Sequence, residues 1–202
     1  MSLFEHDVNE NLLPFDGDVN YFGEVLTFEQ TQYFFEALLN NIDWQHDEVL
    51  INGKLIRTQR KVSWHSGQSS TYQYSGSTKL AKPWTTELLK LKTIVEKQTG
   101  EIFNSCLLNL YETGNQGMGY HSDNETQLGV KPIIASLSLG ATRKFVFKHK
   151  QTKHTCGLDL SSGSLLVMKG DTQDHWQHSL PITAKCHSAR INLTFRVIGS
   201  TV

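Results

Sequence analysis

His121 and Asp123 stand two residues apart in Tyr120-His121-Ser122-Asp123. On a strand, that spacing aims an imidazole and a carboxylate at the same face. Such a pair can fill two positions around a divalent metal, and a third ligand must then come from elsewhere in the chain. Two imidazoles and one carboxylate on one side of an octahedral ion leave three positions open, the ligand set of non-haem iron(II) oxygen chemistry. His-x-Asp alone is a common tripeptide, and a hydrogen-bonded surface histidine beside a loop aspartate is its ordinary meaning. A distal partner changes that balance. The segment His175-Trp176-Gln177-His178-Ser179-Leu180-Pro181 offers two histidines, His175 and His178.

Shortly after it comes Arg190-Ile191-Asn192-Leu193-Thr194-Phe195-Arg196. As a strand this places Arg190, Asn192, Thr194 and Arg196 on one side and Ile191, Leu193, Phe195 and Val197 on the other. A solvent-facing edge strand would alternate in the same way. Inside a closing barrel, two arginines need an anionic partner to offset their desolvation. A dicarboxylate provides one, because guanidinium grips carboxylate in a bidentate manner.

These residues need a frame. Thr27-Phe28-Glu29-Gln30 has capping-box spacing and opens a helix with Phe34, Leu38 and Ile42 at helical intervals. A second helix fits Trp84 to Gln98, with Leu88, Leu91 and Val95 on one face, Pro83 before it and Gly100 after it. The remainder reads as strands. Asn52-Gly53 sits between apolar runs as a hairpin signal, and Cys106–Tyr111, Ile133–Leu139, Lys144–Phe147, Ser164–Met168 and Arg190–Val197 are β-rich or alternating. The fold class expected is α+β, mainly β: a double-stranded β-helix, or jelly roll, with helices packed on one sheet. Residues 1–20, acidic and aperiodic, read as a flexible arm before a single domain over 21–202, with 21–104 carrying the helices and hairpins and 105–198 the jelly-roll core.

The 202-residue length suits one sizeable core. A net charge of −1 announces no nucleic-acid binder globally. The local picture differs, with basic clusters at Arg57, Arg60 and Lys61 and again at Arg143, Lys144, Lys148, Lys150 and Lys153. Three cysteines without CxxC spacing argue against a disulfide scaffold or zinc ribbon and for a reducing compartment. With no signal pattern and no apolar run near the roughly 20 residues that span a bilayer, the chain reads as soluble and intracellular, in cytoplasm or nucleus.

Taken together, Asn109-Leu110-Tyr111, His121-Ser122-Asp123-Asn124-Glu125, Pro132 to Gly140, His175 to Pro181 and Arg190 to Arg196 resemble the AlkB family of nucleic-acid dealkylating dioxygenases, in particular the branch with the animal DNA-repair homologues. The likeness runs over roughly residues 48–198. It implies iron(II) held by His121, Asp123 and His178, with His178 rather than His175 as the distal ligand. It also implies 2-oxoglutarate held by Asn109, Tyr111, Arg190, Asn192 and Arg196, with Arg190 on the distal carboxylate and Arg196 near the metal-side carboxylate, paired with Asp123. The chemistry implied consumes O2 and 2-oxoglutarate and oxidises an N-methyl group, which leaves as formaldehyde.

On the substrate side, such an enzyme flips the base from the stack and holds it between planes. The likeness places Tyr74 over the flipped base, opposite His121, and Glu125 at its exocyclic amino group. Tyr72 and Trp64 are either stacking platforms or core. Leu50 and Ile51, beside Asn52-Gly53, are candidates for a wedge, with Arg57, Arg60 and Lys61 on phosphates. The hairpin tip lacks the aromatic plug of the duplex-repair branch, and Asn124 stands where a second acid is common. Demethylation of 1-methyladenine and 3-methylcytosine in DNA is the reading, with a monomer and no obligate protein partner expected. RNA demethylation, a non-catalytic nucleic-acid binder, and an oxygenase acting on protein or small molecules are the rivals.

Overall fold

The computed structural model describes residues 10–51, 54–67, 71–74 and 77–199, with backbone alone for 49–51, 54–55, 71–74 and 77–79. The Asn52-Gly53 tip, the first nine residues and the side chains of Leu50, Ile51, Tyr72 and Tyr74 lie outside what is described.

Two antiparallel sheets face each other. The larger contains β1 (Asp18–Glu24), β2 (Gln45–Ile51), β3 (Lys54–Ser66), β6 (Ser105–Tyr111), β8 (Ile134–Gly140), β11 (Ser164–Lys169) and β13 (Arg190–Arg196), in the order β1-β11-β8-β13-β6-β3-β2. The smaller joins β7 (Met118–His121), β9 (Arg143–His149), β10 (Thr155–Leu160) and β12 (Trp176–Leu180), in the order β10-β9-β12-β7. A separate hairpin, β4 (Thr71–Tyr74) with β5 (Ser77–Leu80), stands between β3 and helix α2 (Thr86–Thr99). The expected jelly roll with helices on one sheet is the architecture observed.

Alternation sorts the larger sheet into two chemically opposite faces. Ile191, Leu193 and Phe195 join Leu108, Leu110, Leu137 and Leu139 in the core under the helices α1 (Phe28–Asn41) and α2 (Thr86–Thr99). Thr27 caps α1 with the reciprocal Gln30 contact, and Gly100 closes α2 at φ 74°. The other face looks toward the smaller sheet, where Tyr111, Phe145, Phe147, Met168 and Trp176 pack in a second cluster. Strand β13 lies between β6 and β8, so its polar side meets the interior and not solvent. The edge-strand reading of Arg190–Arg196 is thereby excluded.

Two expectations need correction. The arm assigned to residues 1–20 is packed from residue 10 onward. Trp176 Nε1 donates to the Phe15 carbonyl at 3.0 Å, Phe15 lies against His149 and Trp176, and β1 pairs with β11 from Asp18. Acidic composition hid a strand because only Val19 and Tyr21 of its residues are buried apolar ones, and Tyr21 and Phe22 fall beyond the arm's assigned end. The second correction concerns the metal motif: β7 ends at His121, so Asp123 is placed by the loop that follows and not by strand alternation.

No described helix is long and apolar enough to cross a membrane.

Candidate active site

The inner face of the larger sheet and the facing side of the smaller one enclose a cavity of about 50 Å³. Its walls include Asn109 and Tyr111 from β6, Ser136 from β8, Arg190, Asn192, Thr194 and Arg196 from β13, and His121, Asp123 and His178. His121 and His178 are direct cross-strand partners on β7 and β12, with ring centroids 4.3 Å apart. The ligand atoms of His121, Asp123 and His178 all lie within 4.8 Å of one another. His175, the rival distal histidine, ends the one-turn helix α3 (Thr172–His175) and belongs elsewhere.

Hydrogen bonds fix the chemical state of these groups. The His121 Nδ1 lies 2.9 Å from the Gly119 carbonyl, which only accepts. Nδ1 therefore carries the proton, and the Nε2 lone pair faces Asp123, with Nε2 3.9 Å from Oδ1. The Asp123 backbone N–H donates to Gln173 Oε1 at 2.8 Å, and the Ser122 hydroxyl donates to the Trp176 carbonyl at 2.9 Å. Those two contacts, both missed in the sequence, steer the loop after β7. Burial would raise the Asp123 pKa, but Arg196, whose Nη2 donates to Oδ2 at 3.1 Å, together with His178 and His121 holds it below the usual range. Burial first, then the charge of His121, pushes His178 down to about 3, so it is neutral and able to ligate.

The cationic wall is equally specific. Arg190 is 2% exposed and donates through Nη2 to Ser138 Oγ (2.9 Å) and Asn192 Oδ1 (2.8 Å). Its guanidinium lies 5.7 Å from the Tyr111 ring centre, and burial depresses its pKa to about 10. Its Nε is buried without a hydrogen-bond partner, and no carboxylate pairs with Arg190 among the described residues. Asn192 Oδ1 also accepts from Ser136, and its Nδ2 donates to Thr194. A buried cation whose partners are neutral acceptors fits an anionic ligand, and the two serines follow from the alternation of β8 once its pairing with β13 is known. Two imidazoles, a carboxylate and this cationic wall fit iron(II) with 2-oxoglutarate.

The proposed substrate contacts divide. Arg57 is exposed, and Lys61 is half-buried with Nζ 2.8 Å from Glu112. Arg60 does not reach any phosphate: it is 5% exposed and ion-paired with Asp47 at 2.7 Å, because it shares the inner face of β3 with Val62 and Trp64. Trp64 is core, 4% exposed and packed with Val62 and Leu107. Arg143, counted in a basic surface cluster, also points inward and donates to the carbonyls of Gln116 (3.0 Å) and Pro181 (2.8 Å). Glu125 is half-buried at the start of a 3-10 turn (Thr126–Leu128), with Oε2 enclosed and without a hydrogen-bond partner.

A second His/His/Asp cluster, Asp16, His149 and His175, has similar spacing and opposite chemistry. The Thr152 backbone N–H donates to His149 Nδ1 at 3.1 Å, so Nδ1 is the lone pair and Nε2 carries the proton, 3.5 Å from Asp16 Oδ2. A metal at that Nε2 would require loss of the ring's one N–H proton, and the geometry is that of a structural contact.

Comparison with known proteins agrees with this geometry. The 2OG-Fe(II) oxygenase superfamily model matches residues 18–196. The chain is 38% identical to the DNA oxidative demethylase ALKBH2 of Bos taurus over 181 residues, covering 86% of this chain and 62% of that protein. It is 37% identical to the Mus musculus ALKBH2, covering 86% and 72% respectively. Thus the chain spans about two thirds of the length of these relatives. The solved structure of OsALKBH1 superposes with a TM-score of 0.60 at 16% identity, covering 88% of this chain and 97% of that one, a likeness of fold. The chain belongs to the AlkB family within the 2OG-Fe(II) oxygenase superfamily.

Proposed function

We propose that this chain oxidatively demethylates N-alkylated bases, such as 1-methyladenine and 3-methylcytosine, in DNA. The observation that carries the reading is the joining of the His121, Asp123 and His178 set to the Arg190 cation, which no described carboxylate pairs, in one cavity. DNA is favoured because the curated relatives above are DNA oxidative demethylases by name.

When bound, iron(II) with 2-oxoglutarate and O2 would supply the oxidation of the N-methyl group, which leaves as formaldehyde. The residues of this chain do the rest. His121, Asp123 and His178 hold the metal, and Arg196 keeps Asp123 ionised. Arg190 receives the distal carboxylate of the cosubstrate, with Asn109, Tyr111 and Asn192 completing its seat. Glu125 meets the exocyclic amino group of the base, with its enclosed Oε2 available for that bond. Tyr74 stacks on the base opposite His121, and Arg57 at the exposed outer part of β3 meets the phosphate backbone.

The test is formaldehyde release from methylated single-stranded DNA, duplex DNA and RNA, with the iron-loaded protein, ascorbate and 2-oxoglutarate. Turnover on either DNA is the expected result. Turnover on RNA alone would move the substrate to RNA, and none on any of the three would overturn the demethylase reading.

A further inference from the structure

Arg60 and Asp47 form a buried ion pair that the oxidation chemistry does not use, 5% and 0% exposed, with Nη2 2.7 Å from Oδ2. A pair so enclosed contributes little net stability, since desolvation offsets most of the attraction. Its geometry suggests another role. The Arg60 Nε donates to Asn109 Oδ1 at 3.0 Å, and Asn109 lines the cavity while Arg60 does not. An amide has one acceptor oxygen and two N–H donors, and guanidinium can only donate. With Oδ1 engaged by Arg60, the side-chain orientation of Asn109 is decided: the Nδ2 donors remain for the cavity.

The neighbouring asparagine shows that this orientation is not automatic. Asn192, directly opposite Asn109 across β13 and β6, spends its Oδ1 on Arg190 and Ser136 and its Nδ2 on Thr194. Asn109 therefore keeps both Nδ2 N–H donors for an incoming oxygen, whereas Asn192 has one of its two engaged. The local backbone supports the arrangement. The β2–β3 register shifts between His46 and Glu48, next to Asp47, and the shift is held by His46 Nδ1 on the Thr58 carbonyl (3.0 Å) and by the Thr58 hydroxyl on the Arg60 carbonyl (2.9 Å).

We propose that Arg60, anchored by Asp47, is a positioning residue that locks the Asn109 amide with its N–H donors toward the cosubstrate oxygens. This rests on the reading that Asn109 binds 2-oxoglutarate. It also ties the β2–β3 hairpin, which carries the proposed wedge, to the cosubstrate seat.

The test is calorimetric titration of 2-oxoglutarate into the full Mn(II)-loaded chain, for Arg60→Lys, Asn109→Ala and the double variant. Lysine keeps a cation for Asp47 but lacks the second arm of the guanidinium fork. Each single change should weaken binding by about tenfold, and the double variant should match Asn109→Ala alone. Additive losses would make Arg60 a structural residue and overturn the proposal. So would an Arg60→Lys affinity within about twofold of the parent while Asn109→Ala is weakened. If Asn109→Ala binds as the parent does, the reading of Asn109 itself falls, and the positioning role with it. Should Arg60→Lys fail to fold, Arg60→Met with Asp47→Leu removes the pair without stranding a charge and should show the same loss.

Discussion

The molecule contains two His/His/Asp clusters, and they differ in which ring nitrogen the backbone claims. At His121 a carbonyl takes the Nδ1 proton, which leaves Nε2 open as a ligand. At His149 a backbone N–H occupies the Nδ1 lone pair, which leaves Nε2 protonated toward Asp16. Residue types and spacing are alike, and both clusters have partly enclosed members. The lesson is that a ligand set is defined by tautomer, and that the tautomer is set by a single backbone contact. His65 is a third case: its Nδ1 lies 2.7 Å from the Pro83 carbonyl, but Ser63 occupies Nε2 at 3.0 Å, so its free lone pair is already used.

The sharpest way to break the comparison is to remove one histidine from each cluster. His178→Ala should abolish tight iron binding and reduce turnover to background, whereas His175→Ala should retain one metal per chain and most of its activity; metal analysis after desalting reads both. The opposite pattern would exchange the roles of the clusters. Next in size is Arg190→Met. It should weaken 2-oxoglutarate by about a hundredfold, while the ligand-free protein melts no lower than the parent, because the change removes a buried charge that no carboxylate balances. A melting temperature that falls together with affinity would mean that Arg190 is structural.

Gln173→Ala sharpens the comparison from the loop. Without the amide oxygen that holds the Asp123 N–H, metal affinity should fall about tenfold with the fold intact, measured by competition with a chelator. The smallest effect concerns pH. Burial lowers the His65 pKa below 6.5, with the Pro83 hydrogen bond opposing and Lys82 assisting the shift. A depressed folded pKa means that the unfolded state binds the proton more readily, so this contribution to stability is full above about pH 6.5 and is lost as pH falls toward the lowered value. His65→Gln should flatten that part of the stability curve, as read by urea unfolding at pH 7.5 and 5.5. An unchanged slope would show that His65 does not titrate on unfolding. The His65 contact closes the base of the β4–β5 hairpin through the His65–Lys82 bridge, so the same variant should also loosen the segment that carries Tyr74.

Much of the site was legible in the sequence because it depends on short-range periodicity. The alternation of Arg190–Arg196 separates polar from apolar residues whatever the strand packs against, and Thr27 to Gln30 specifies a helix start without reference to the rest of the chain. His121, Asp123 and His178 could be named because their types and order are rare in combination. The residues that were misread or left undecided share one property: their meaning depends on which face of a strand is covered. Arg60, Trp64 and Arg143 carry side chains common on surfaces or in stacking platforms, and only the closure of β3 against β6 and of β9 over the loop before β7 turns them inward. Gln173 and Ser138 gave no sequence signal, because a single polar residue acquires a role only from the atom that it meets.

By itself, then, the sequence determined the strand and helix patterns, the order of the metal motif and the polar face of β13, since each is written within a few neighbouring residues. The three-dimensional structure decided the ring tautomers, the burial of Arg60 and the cross-strand pairing of His121 with His178, the distal histidine that the family likeness already favoured over His175. The burial of Arg60 and the pairing of His178 with His121 follow from contacts between segments distant in the chain, whereas the tautomers of His121 and His149 follow from short-range backbone contacts, to Gly119 and Thr152, that residue types alone do not specify.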